Sequence, residues 1–259
     1  MLANMSLSQI ARNPSESVRP DLWPGFAYLP MMGRQGSMIC DPVSLSHANL
    51  AAGTPVWDAD GLVFDGSQNF IANRPVEIDT TRPWSFVFRM NTTTWSFDEE
   101  IVARVSAVEP KPSSSGLLDF GVFFGNFRVI LRTNGVSSTT INSLSSGAID
   151  DGLWHTCIYT LDYPAASQVY IDGNPIISAS PADRGAYSFT QPINIGCSSW
   201  VGGLAAVYFL PYWVDNQMAR DLHSDILLPL RRKLFVSFYV PVPTFRPYFQ
   251  TRPQIIGAA

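Results

Sequence analysis

Hydrolysis of a glycoside needs two carboxylates placed about the scissile bond, and two stretches of the sequence offer acids for it. Glu77-Ile78-Asp79-Thr80-Thr81-Arg82 holds two acids and ends on Arg82. Asp98-Glu99-Glu100 places its acids side by side, and adjacent residues of a strand face opposite ways. Neither stretch makes a catalytic pair. Trp154-His155 invites a metal or general-base reading, but His47 and His223 are remote in sequence and there is no HxxxH spacing to supply a second zinc ligand. We read Trp154 as core and His155 as a structural or surface histidine. Asp65, Asn69, Asp98, Glu99 and Glu100 are oxygen donors of the type that holds Ca²⁺, with a solvated loop as the plainer reading. Trp95 and Trp200 are candidate stacking platforms for sugar rings, against packing in a core or loop. Cys40, Cys157 and Cys197 are odd in number and lack CxxC spacing, which suggests three reduced thiols rather than a disulfide or zinc framework.

The elements that would position these residues read as strands. Runs 86–90, 101–105, 121–124, 127–132, 154–161, 168–177, 193–196 and 204–210 are short, rich in β-branched and aromatic residues, and separated by turn signals. In 127–132, Phe127, Val129 and Leu131 share one face, while Arg128 and Arg132 share the other. Asp172-Gly173 between two apolar runs is a hairpin signal, because both residues tolerate positive φ. Residues 25–64 are interrupted by Gly and Pro and predict loop-rich wrapping with two short strands. One helix is expected over 214–226, where Met218, Leu222 and Ile226 recur at helical spacing behind Asp215. Strands in series without βαβ alternation predict an all-β, two-sheet antiparallel sandwich. We divide the chain into an N-terminal extension (1–24), the sandwich (25–228) and a tail (229–259). Trp154, Cys157, Tyr170, Ile195 and Val207 are expected in or beside the core.

With 46% hydrophobic residues and a charged fraction of 15%, the 259 residues suit one ordered domain rather than a disordered chain. The net charge of −4 lacks the basic footprint of a nucleic-acid binder. The charge is unevenly spread: residues 229–259 hold five cations and no acid, against 12 cations and 21 acids in the remainder. That tail also carries five prolines and six aromatics. We expect it to dock on another surface through Arg231, Arg232, Lys233, Phe245, Arg246 and Tyr248; the alternative is that it folds back over its own sandwich. The first 18 residues lack the apolar core of an export signal, and the longest apolar run, 234–243, is too short to insert in a bilayer.

Six segments in order resemble the laminin G-like family of concanavalin A-type jelly rolls. Gly61 to Ile71 resembles its FDGxxxYI segment, Trp84 to Phe88 its SFWV strand, Gly152 to Cys157 its GxWHHV turn, and Val169 to Gly173 its LYVDG hairpin. Ile193 to Gly196 and Gly202 to Phe209 resemble its closing strands. Asn13-Pro14, Leu22-Trp23-Pro24, Asp41-Pro42 and the stretch from Leu222 to Leu230 further resemble laminin G-like proteins of phage and prophage structural genes. The resemblance implies a non-enzymatic virion accessory protein, a head decoration, fibre or tail-associated component. It would be synthesised in a host cytoplasm without a signal peptide, with capsid or tail proteins or a second copy of itself as partners. A carbohydrate-binding module or adhesin contacting a cell-surface glycan is the alternative. No cofactor is expected beyond a possible Ca²⁺ at Asp65, Asn69, Asp98 and Glu100, although the family's paired acids are replaced by Gln68 and Asn69. β-Glucanases of this fold carry Glu-x-Asp-x-x-Glu on one strand. In 77–82 the last acid is Arg82, so a glycoside hydrolase is disfavoured.

Overall fold

The computed structural model describes residues 9–233 apart from 33–35, 74–76, 80, 94–99, 107–116, 134–136, 143–147, 163–164, 180–187, 190 and 198–199. The strands are β1 (Phe26–Tyr28), β2 (Met38–Ile39), β3 (Ala48–Ala52), β4 (Val56–Trp57), β5 (Leu62–Asp65), β6 (Asn69–Ala72), β7 (Ile78–Asp79), β8 (Trp84–Asn91) and β9 (Glu100–Ser106). They continue as β10 (Leu117–Phe123), β11 (Asn126–Thr133), β12 (Ser137–Asn142), β13 (His155–Asp162), β14 (Ala166–Ile171), β15 (Asn174–Ala179), β16 (Ser188–Phe189), β17 (Asn194–Cys197) and β18 (Val201–Leu210). Helix α1 spans Asn216–Ser224.

Two antiparallel sheets of eight strands form the expected sandwich. The first runs β15-β14-β13-β8-β18-β5-β4, with β1 also on β18, and the second runs β12-β11-β10-β9-β17-β6-β3-β2. Strand β8 shows why the layers pack. Trp84, Phe86, Phe88 and Met90 alternate inward to the sandwich core, and Phe86 meets Phe120 of the opposite sheet at 4.6 Å between ring centroids. Each fully buried side chain of this size contributes roughly 1.5–3 kcal/mol by leaving water. Cys157, Ile195 and Val207 are buried in the same core. Trp154 is only partly buried and lies beside it, where a Cβ on Gly203 would come within 2.9 Å of its ring.

The first sheet is buried on its outer face too. Val87, Ile158, Tyr170, Tyr208 and Leu210 form a second apolar cluster with Ala219 and Leu222 of α1 and with Ile10 and Leu230 from the two extensions. The helix is shorter than its apolar spacing predicts. The Asp215 side chain caps it by accepting from the Met218 amide at 2.8 Å, and Ile226, past its end, is still buried.

The extensions brace each other. Ile10 and Ser17 form bridges with Arg231 and Arg232, and the Ser17 hydroxyl donates to the Pro229 carbonyl at 2.7 Å. Arg231 pairs with Asp225, Arg232 with Glu16 at 3.5 Å, and the Lys233 ammonium donates to the Ser15 carbonyl at 3.3 Å. The three basic residues assigned to a partner surface are therefore engaged within the chain, because Pro229 and Leu230 bury themselves and hold the next residues against the N-terminal segment. Phe245, Arg246 and Tyr248 lie outside the described residues.

The wrapping segment 25–64 holds five strands rather than two. Each is only two to five residues long, so periodicity is too brief to register in sequence, and the neighbouring strand supplies the pairing. Glu77 therefore follows six strands, β1 to β6. No helix among the described residues is long and apolar enough to cross a membrane.

Candidate functional site

A cleft opens at the end of the sandwich where β8 begins and β18 ends. β7 pairs with β16 through Asp79 opposite Ser188 and Ile78 opposite Phe189. A tight turn follows: the Asp79 side chain accepts from the Thr81 amide at 2.9 Å and the Thr81 hydroxyl at 2.7 Å, while the Arg82 amide donates to the Asp79 carbonyl at 3.2 Å. The turn delivers Pro83 and Trp84 into β8. Trp84, Phe209 and Pro211 line the cleft with Glu77, Asp79 and Arg82, enclosing about 420 Å³. This lies in the range of small-molecule sites, about 300–1,000 Å³.

Trp84 is 1% exposed. Its ring packs edge-on against Phe86 at 5.8 Å and Tyr159 at 5.5 Å, which fixes the indole. The indole N–H is nevertheless buried without a hydrogen-bond partner. Buried indole donors usually find an acceptor; those of Trp84 and of the core residue Trp200 are both left without one. The Asp79 carboxyl is held below its ordinary range by the Thr81 hydroxyl and amide, with Arg82 adding to the effect. Arg82 stands 3.8 Å from Asp79 with its side chain 84% exposed. A general acid for glycoside cleavage needs the opposite shift, so Asp79 is not equipped for that role.

The opposite end of β8 carries a polar cluster that sequence reading missed. Asp172 and Gly173 adopt positive φ of 51° and 77° in the turn between β14 and β15, the hairpin expected from Asp-Gly. Asp172 faces His155 Nδ1 at 2.7 Å, His223 Nδ1 at 3.3 Å and the Thr156 amide at 2.8 Å. Asp151 approaches His155 Nε2 at 3.0 Å. With a carboxylate on each nitrogen, the His155 ring is set to donate from both. The Asp172 hydrogen bond raises its pKa above the ordinary value; burial opposes the rise, and Asp151 adds to it. Burial works to raise the Asp172 carboxyl, and the bonds from His155 and Thr156 with the charges of both histidines outweigh it and bring it below the usual range. Burial pushes the neighbouring Cys157 thiol well up. A histidine with both nitrogens committed is no general base, and a buried thiol of high pKa is no nucleophile. The cluster fastens β13, the β14–β15 turn and α1 together.

The remaining sequence candidates fall apart in space. Trp200 is fully buried, its ring 4.6 Å from that of Phe64; the core claims it because β18 starts directly after it, so it is no stacking platform. The Asp65 side chain accepts from the Ser67 amide and hydroxyl at 2.9 and 2.6 Å in a local turn, and the buried Asn69 Oδ1 has no partner. Trp95 and Asp98 lie outside the described residues, as does the side chain of Glu100 at the start of β9. Among the described residues, no group of three or more His, Cys, Asp or Glu side chains gathers to hold a metal. The cleft residues were legible only in part. Glu77 to Arg82 stood out by its acids, whereas Trp84 and Phe209 read simply as strand residues.

No family model matches the sequence, and no curated protein matches it. Solved structures do. The binding domain of Paraclostridial Mosquitocidal Protein 1 is 11% identical with a TM-score of 0.61, over 80% of this chain and 53% of that one. A botulinum neurotoxin serotype D ligand-binding domain, in complex with N-acetylneuraminic acid, is 14% identical with a TM-score of 0.58 over 79% and 51%. Trypanosoma rangeli sialidase in complex with sialic acid is 14% identical with a TM-score of 0.55 over 76% and 32%. The chain thus spans about half the length of the toxin domains it matches. At these identities the likeness establishes the fold, a jelly-roll-like β-sandwich shared by toxin binding domains and a sialidase.

Proposed function

We propose that this chain is a non-catalytic carbohydrate-binding domain with an adhesin-like role, and that the end cleft is where the sugar sits. The observation that carries the reading is an open cleft of about 420 Å³ lined by Trp84, Phe209 and Pro211 together with the polar side chains of Glu77, Asp79 and Arg82. Sugars suit such a lining: their C–H faces lie on apolar walls and their hydroxyls meet carboxylates and a guanidinium. The fold supports the reading, since this chain matches about half of solved toxin binding domains, one of them determined in complex with N-acetylneuraminic acid. The sialidase shares the architecture as well, but a hydrolase needs a raised acid, and the shift at Asp79 is in the opposite sense.

The test is saturable binding of the full chain to a glycan array, with a parallel assay for reducing ends on β-glucans. Binding without turnover is expected. Release of reducing ends, abolished by Glu77→Gln, would replace the binding reading with a hydrolytic one. A finer form of the proposal draws on the six motifs in the sequence: a laminin G-like domain displayed on a phage head or tail, meeting host glycans. Antibody labelling of purified particles tests it, and unlabelled particles from a producing host would refute it.

A further inference from the structure

We infer that the turn leading into β13 is a pH-released latch: a doubly protonated His155 holds Asp151 and Asp172 at once, and loss of one ring proton frees the Asp151 turn while the hairpin and helix stay fastened. The geometry sets up the choice. His155 Nδ1 meets Asp172 at 2.7 Å, and Nε2 meets Asp151 at 3.0 Å. An ionised carboxylate only accepts, so both contacts need an N–H, and a neutral imidazole has one. On deprotonation one ring nitrogen turns a lone pair toward a carboxylate, and that contact becomes repulsive.

Asp172 is the carboxylate that stays. It also accepts from the Thr156 amide at 2.8 Å and faces His223 Nδ1 at 3.3 Å, and its turn packs on α1, where a Cβ on Gly173 would come within 3.0 Å of Arg220 Cα. Asp151 is the one that can leave, because its side chain is 45% exposed against 28% for Asp172. Its Oδ1 accepts locally from the Leu153 amide at 2.7 Å, so residues 151–153 move as a unit. That unit is tied to the end of β8 by the Gly152 amide, which donates to the Thr92 carbonyl at 3.0 Å, and it can pivot at Gly152, whose φ is 77°. The neutral ring therefore keeps its proton on Nδ1. Other groups around the ring are engaged elsewhere: Arg89 of β8 donates to the Thr156 hydroxyl at 2.9 Å, Asp150 sits over Gly125, and burial pushes the Cys157 thiol well up. The Asp172 bond raises the His155 pKa, burial opposes the rise and Asp151 adds to it, so release comes above the ordinary histidine value of about 6.5.

The experiment follows the ring nitrogens of ¹⁵N-labelled full-length chain between about pH 6 and pH 9, with His155→Gln identifying the His155 signals by their loss. Nε2 is expected to give up its proton and Nδ1 to keep it. Across the same transition the protection of the Gly152 amide, corrected for base-catalysed exchange, is expected to fall about fivefold, while the Thr156 amide stays protected. In Asp151→Asn, a change at an exposed side chain, the fall at Gly152 disappears. Loss of the Nδ1 proton instead, Gly152 protection that ignores the His155 transition, or a fall that persists in Asp151→Asn would each overturn the latch.

Discussion

The two ends of strand β8 are treated in opposite ways. At the end reached by Met90, which pairs with His155 across the strands, every charged group of the turn is answered: Asp172 serves two histidines and an amide, and His155 sits between two carboxylates. At the end that starts with Trp84, an open cleft carries Glu77 and Arg82 at exposed positions, and Glu77 is unpaired among the described residues. Satisfied networks rigidify. The difference teaches that the end densest in titratable residues serves the fold, while the open cleft lies at the other.

The largest expected effect lies at the braced end. Asp172→Ala strips the acceptor from His155, His223 and the Thr156 amide and leaves a non-glycine residue at positive φ without its local bonds. Discounted for partial exposure, we expect a loss of about 2 kcal/mol, read as a lower Tm. A loss under about 0.5 kcal/mol would mean that the network is ornamental to stability.

The pH dependence of stability sharpens the same point. His155 is raised in the folded state, so its contribution is present in full below its unfolded value of about 6.5 and is lost as pH climbs through the higher folded value. Asp151 and Asp172 are lowered, so their contribution is present above about pH 4 and is lost on acidification. Stability should therefore peak between about pH 4 and 6.5 and decline toward pH 8. His155→Gln should remove most of the alkaline decline; an unchanged profile in that variant would assign the decline elsewhere.

At the cleft end the effects on stability should be small. Trp84→Phe removes a donor that has no partner but leaves a small void, and the two offset to within about 1 kcal/mol. Glu77→Gln touches nothing described and should shift stability by under about 0.5 kcal/mol. A loss above about 3 kcal/mol for either would show that the cleft is part of the fold's support.

The strands that read clearly in the sequence are those with alternation long enough to show a face, such as β8, β11 and β13. The Asp172-Gly173 turn was legible because its backbone chemistry is local. The short strands β1 to β5 were not, since two to five residues interrupted by Gly and Pro carry no period, and partners far along the chain define them. Site residues failed for a similar reason. His155 looked solitary because Asp172 returns to it only through the β13–β14 pairing, and His223 arrives on a helix packed over the sheet. Trp200 and Trp84 are the same residue type in similar apolar settings. Both indole N–H groups are buried without a partner, and only the packing shows that one is walled in beside Phe64 and that the other contributes to the lining of a cleft. The run from Glu77 to Arg82 was noticed as an incomplete catalytic pattern. Its place as a rim depends on Phe209 and Pro211 from the far end of the domain.

The most direct test of the cleft as a sugar site is the indole region of a two-dimensional ¹H–¹⁵N spectrum, where the seven tryptophans give separate N–H signals and Trp84→Phe identifies one by its loss. Titration with a glycan that binds should move the Trp84 indole resonance progressively to saturation, because Trp84 lines the cleft. Saturable binding of the same glycan with that resonance unmoved would contradict the account.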